Sequence, residues 1–155
     1  MLYALYKTVH VLSFVVWVGG MVFAHFFLRP AVASLEPPQR LRLMEEVLRR
    51  FFAVVTGVAL LTLFSGVAMI GNVAKATVQA GGAFQMPLDW TVMSVLGTLM
   101  VLIYGHIRMV LYRRLHRGVQ ASDWTAAAAA LAQLRRWVGV NLAIGLFLIA
   151  FTLLV

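Results

Sequence analysis

Apolar residues along the chain gather into four long runs, roughly Leu2–Leu28, Phe51–Val73, Leu88–Tyr112 and Trp137–Val155, separated by more polar stretches. Each run reaches about 20 residues, the length an α-helix needs to cross the hydrocarbon of a bilayer. The pattern predicts an all-α protein, an integral membrane four-helix bundle in which residues 1–155 form a single four-span domain. The first run carries a histidine near each end and lacks a small-residue cleavage site, so it reads as a retained span rather than a cleaved leader.

The connections differ in character. Residues 29–50 hold Pro30, Pro37 and Pro38 and then a basic-acidic segment that predicts a short helix leading into the second span. Residues 74–87 read as a weakly charged loop with Gly81, Gly82 and Pro87. Residues 113–136 open with RRLHRG and continue as SDWTAAAAALAQLRR, where Ser122 or Asp123 can cap an alanine-rich helix running toward the fourth span.

Composition narrows the class. With 63% hydrophobic and 12% charged residues and a mean hydropathy of +0.93, the chain is too apolar for an ordinary soluble domain. A net charge of +8 in a soluble chain would suggest nucleic-acid binding; here the basic residues are placed as membrane anchors, the lipid bilayer is the expected partner and nucleic acid is not. Arg29, Arg40, Arg42, Arg49, Arg50, Arg108, Arg113, Arg114, Arg117, Arg135 and Arg136 fall on one face, against only Lys7 and Lys75 on the other. By the positive-inside rule both termini are expected on the non-cytoplasmic side. The absence of cysteine removes disulfides, thiolate zinc sites, iron–sulfur clusters and Cys nucleophiles. No Ser-His-Asp order, phosphate-binding glycine loop or carboxylate pair stands out, and Asp89 is the only acidic residue near a span.

Candidate chemistry rests on histidine and methionine. Ionisable residues inside a membrane are costly and mark function. His116 lies in the basic run RRLHR and reads as a solvated surface residue, whereas His10, His25 and His106 lie within or at the edges of spans. His25 and His106 fall at comparable depth toward the arginine-rich ends of two spans that run in the same direction, where they can face each other and ligate a haem iron axially. His10 precedes His25 by a spacing worth about 22 Å along the axis and about 60° around it, suited to a second, outer haem. Fifteen residues before His106, however, stands Thr91. Trp17 and Gly20 lie between the two histidines, and Arg29, Arg108, Arg113 and Arg114 are placed to meet haem propionates or lipid phosphates. Gly19, Gly57, Gly66, Gly97, Gly105, Gly139 and Gly145 allow close helix contact or the approach of a flat macrocycle. Trp90, Trp124 and Trp137 read as interfacial anchors. Methionine offers another chemistry: it is a soft ligand for Cu(I), and His10, Met69 and Met93 share the outer third of the bundle, with Met21 and Met100 deeper.

The segment KTVHVLSFVVWVGGMVFAHFFLRP, through Lys7, His10, Trp17, Gly19, Gly20, His25, Arg29 and Pro30, resembles the CopD family of small bacterial inner-membrane proteins. LEPPQRLRL, RRFF, GHIRM and RRLHRGVQASDW extend the resemblance over nearly the whole chain. The order His10, Trp17, Gly20 is also similar to the first span of HemJ-type protoporphyrinogen oxidases and, more loosely, to four-helix b-type cytochromes. His25 and Phe26 stand where the HemJ pattern has a Pro-Arg pair. The CopD resemblance implies copper handling across the bacterial inner membrane; the others imply b-type haem and electron transfer with a quinone or periplasmic partner. The principal expectation is thus a haem protein (heme b) with His25 and His106 as axial ligands, and a haem-dependent membrane oxidoreductase is the enzyme class it would fit. Alternative expectations are copper import or transfer through His10, Met69 and Met93, and a cofactor-free accessory subunit, with a homo-oligomer open to any of them.

Overall fold

The computed structural model describes residues 1–154 and is helical nearly throughout. Helix α1 (Leu2–Val22) continues through a π-helical segment, Phe23–Leu28, into α2 (Arg29–Ala31). Helix α3 (Pro37–Gln79) follows a short turn; α4 (Leu88–His106) passes through a second π-helical segment, Ile107–Leu111, into α5 (Tyr112–Gln120); α6 (Trp124–Leu154) completes the described chain. The four rods Leu2–Ala31, Pro37–Gln79, Leu88–Gln120 and Trp124–Leu154 are each long and apolar enough to cross a membrane. They alternate in direction, so the connections rich in arginine gather at one end and the Gly81–Gly82 turn lies at the other.

The short helix expected before the second span is instead the first part of α3, which runs unbroken for 43 residues. Pro37 and Pro38 occupy its first turn, where a missing N–H costs nothing. No glycine or proline then interrupts the chain before Gly57, which leaves the helix no reason to stop at the membrane surface. Asp123 caps α6 as expected, its Oδ1 accepting from the Ala126 N–H at 2.9 Å. Ser122 takes the turn instead, with φ of 54°.

The π-helical segment around His25 has a local cause. Pro30 has no N–H to donate four residues back and its ring crowds that carbonyl. The preceding turn loosens, and the Arg29 N–H reaches the Ala24 carbonyl five residues back.

The packed core spans only part of the rods' length. Trp17, Val18 and Met21 of α1, Phe52 and Val55 of α3, Met100 and Ile103 of α4 and Leu134, Val138 and Leu142 of α6 are buried. Toward the arginine-rich end Leu41, Met44 and Leu48 of α3 join Leu115 and Val119 of α5 and Ala127 and Leu131 of α6. There Gly118 lets α5 ride directly on α6: a Cβ on it would lie 2.9 Å from the Ala127 backbone nitrogen. At the opposite end no described residue among 1–12, 66–99 and 149–154 is buried.

Candidate metal and anion sites

His10 sits where the packed core begins. Its Nδ1 lies 2.8 Å from the Thr62 carbonyl oxygen and 3.2 Å from Ser65 Oγ. A carbonyl can only accept, so Nδ1 carries the proton and donates it, which in the neutral ring leaves the Nε2 lone pair free. Thr62, Ser65, Gly66 and Met69 follow one another at helical spacing along the same face of α3. Gly66 makes the room: a Cβ there would stand 3.1 Å from His10 Cε1. Ser13, one turn along α1, and Ser65 are buried among apolar neighbours. Ser65 Oγ also reaches the Leu61 and Thr62 carbonyls, so this polar pocket is satisfied by main chain.

Met93 packs against the core from α4. Tyr104 of the same helix hydrogen-bonds Thr56 and the Phe52 carbonyl of antiparallel α3. That register carries Met93, eleven residues earlier, to the depth of Ser65 and hence of His10. Met69 is half-buried one turn further out on α3. Below them Met100 and Met21 are buried at 0% and 2% exposure, and Met100 packs against Gly145. Asp89 lies in the first turn of α4, and Lys7 is exposed.

His25 and His106 share a level but not a site. Gly139 of α6 faces His25 (a Cβ there would stand 3.7 Å from its Cε1), and the His106 ring packs edge-on against Trp137, centroids 5.5 Å apart. Positions 137 and 139 of a helix point about 200° apart, so α6 stands between the two imidazoles. His106 is exposed. The interior between the helices is filled by Trp17, packed edge-on against Tyr104, with Met21, Ile103 and Ile107. Gly20 receives the ring of Phe51, and Arg108 lies over the Tyr112 ring at 4.9 Å. The haem pairing expected from depth alone therefore has no support in this arrangement. Of the glycines singled out, Gly20, Gly66, Gly139 and Gly145 meet neighbours, while Gly19, Gly57, Gly97 and Gly105 face open space.

His25 lines a groove of about 310 Å³ with Arg29, Ala132, Arg135, Arg136 and Gly139. Arg113 and Arg114 are exposed at the same end. Trp90 is half-buried, Trp137 is exposed and Trp124 carries Arg42 over its ring at 5.2 Å.

Two polar groups escaped the sequence reading. Glu45 is 7% exposed and accepts from Tyr112 Oη at 2.7 Å; His116 Nδ1 lies 3.0 Å from the same carboxylate oxygen. His116 is thus not simply a solvated residue: α5 turns it back onto α3, leaving its side chain about half exposed. The signal was the helical spacing of Leu41, Glu45 and Leu48, which puts Glu45 inward, while Glu46 faces Arg49 and Arg50. Asn141 is 1% exposed and its Oδ1 has no partner. It shares the inward face of α6 with Val138, Gly145 and Leu148. Among the described residues no three His, Asp or Glu side chains converge as a metal-binding group.

No curated protein and no solved structure matches the chain. The family model described as CopD, copper resistance protein D, matches residues 45–155, from the buried glutamate of α3 through α6 and leaving α1 outside the match. That match takes in more than two thirds of a chain whose four spanning helices had already suggested such a membrane protein, and the chain belongs to the CopD family.

Proposed function

We propose that the protein passes copper, as Cu(I), through the membrane-embedded bundle, taking it up at His10 with Met93 and Met69 as thioether partners. The observation that carries this reading is the 2.8 Å hydrogen bond between His10 Nδ1 and the Thr62 carbonyl. A metal-ligating histidine is oriented in this way: one ring nitrogen is held by a carbonyl, and the other keeps its lone pair for the metal. Thioethers favour Cu(I) over harder cations. The loosely packed helix ends give a soft ion a way to this depth, and buried Met100 and Met21 continue the thioethers inward. The family's description, which names copper resistance, supports the same chemistry. We place the protein in the bacterial inner membrane with the arginine-rich end in the cytoplasm, on the strength of its eleven arginines. Copper here is cargo, and His10 does its work by offering one lone pair in a fixed direction.

The test is Cu(I) competition against a chromophoric chelator under reducing conditions, on purified full-length protein. His10→Ala is expected to weaken Cu(I) binding by about 100-fold, and Met93→Ala by about tenfold, the range seen when ligand shells are disturbed. His106→Ala is expected to bind as the parent does. Unchanged affinity in His10→Ala overturns the reading.

A further inference from the structure

The groove beside His25 concentrates positive charge without a counter-ion. Arg29, Arg135 and Arg136 line it together with His25. Among the described residues none of these arginines has a carboxylate partner: Glu46 is taken by Arg49 and Arg50, and Glu45 by Tyr112 and His116. Arg135 Nε is buried with no hydrogen-bond partner, and the charges acting on that side chain, from Arg29 and Arg40, are themselves positive. Arg29 and Arg136 are exposed beside the partly buried Arg135, so three like charges face one groove and repel one another, and the buried Nε of Arg135 forgoes its hydrogen bond. A groove so built is completed by an anion.

Its shape selects the kind. Ala132 and Gly139, one on either side of Arg135 and Arg136 along α6, keep the floor low, so the space is made by small residues between long basic ones. Planar guanidinium forks match the paired oxygens of a phosphate group. Phe26, Phe27 and Val140, neighbours of the lining residues in sequence, are 59%, 63% and 42% exposed. Apolar side chains beside a basic groove at the end of a membrane bundle suit a molecule with an anionic head and acyl chains. We infer that this groove binds a phosphate group, presented by an anionic phospholipid or as free phosphate. The inference is independent of the copper reading, since it uses none of His10, Met69 or Met93.

The experiment follows the thermal unfolding midpoint of the delipidated full chain in neutral detergent, titrated in separate arms with phosphatidylglycerol, phosphatidylcholine and inorganic phosphate. Phosphatidylglycerol is expected to raise the midpoint and phosphatidylcholine to leave it unchanged. Arg29→Gln and Arg136→Gln are each expected to raise the half-saturating dose about fivefold, the effect of one basic residue at an anionic surface. Gly139→Leu, which fills the groove and keeps every charge, is expected to abolish the response. Arg113→Gln, exposed at the same end but outside the groove, is expected to titrate as the parent does. A response to inorganic phosphate that fails in the same variants supports the site with free phosphate as its ligand. Three results overturn it: no response to either anion, a parental titration in Gly139→Leu, or an Arg113→Gln loss as large as that of Arg29→Gln.

Discussion

At one end of the bundle His10 is held by a main-chain carbonyl, with a serine hydroxyl beside it; at the other, Glu45 is held by two side chains, Tyr112 and His116. The first arrangement sits where tight packing gives out, the second within a core closed by α5 against α6. A backbone acceptor keeps its lone pairs whatever the surroundings and fixes one ring tautomer, the condition the proposed copper ligand needs. A carboxylate shared by a phenol and an imidazole joins α3 to α5 and serves the fold. The same bundle thus leaves one end loosely packed and fastens the other.

Substitutions can break that contrast at the fastened end first. Gly118→Leu drives a side chain into the backbone of Ala127, which no rotamer change relieves, and is expected to cost about 3 kcal/mol or to prevent folding, read as a lowered unfolding midpoint in detergent. Glu45→Ala strands Tyr112 Oη and removes the partner of His116; a loss of about 2 kcal/mol is expected in the same assay, while Glu46→Ala, whose ion pairs are on the surface, should leave the midpoint unchanged. An equal loss in the two glutamate variants would remove the distinction between them. At the open end Ser65→Ala deletes the second partner of His10 and leaves the Thr62 carbonyl in place; about 1 kcal/mol or less of stability and a Cu(I) affinity within about tenfold of the parent are expected. A Ser65→Ala effect as large as that of His10→Ala would show that the hydroxyl, rather than the main chain, orients the ring.

The spans were legible because bilayer thickness translates directly into residue number, and depth followed from the fixed rise of a helix. Direction around the axis was not. His25 and His106 stand at one level, but which sides of α6 they occupy depends on how four rods are arranged, and that order is not written in any single rod's pattern. The π-helical turn before Pro30 adds a rotation that regular 3.6-residue spacing does not anticipate. Glu45 was hidden by its company: within EEVLRR it reads as one more surface charge until it is set on the face of Leu41 and Leu48. The family match over residues 45–155 and the local geometry also bear on different parts of the molecule, because His10 lies in the helix outside that match.

The burial of the core methionines has a chemical consequence. A thioether that meets peroxide becomes a polar sulfoxide, unsuited to an apolar interior. Met21, Met44 and Met100 are 2%, 3% and 0% exposed, whereas Met1 is fully exposed and Met86 and Met109 stand 40% and 62% in the open. In a chain without a single cysteine, oxidants find sulfur first at those outer positions, and the thioethers of the interior outlast them.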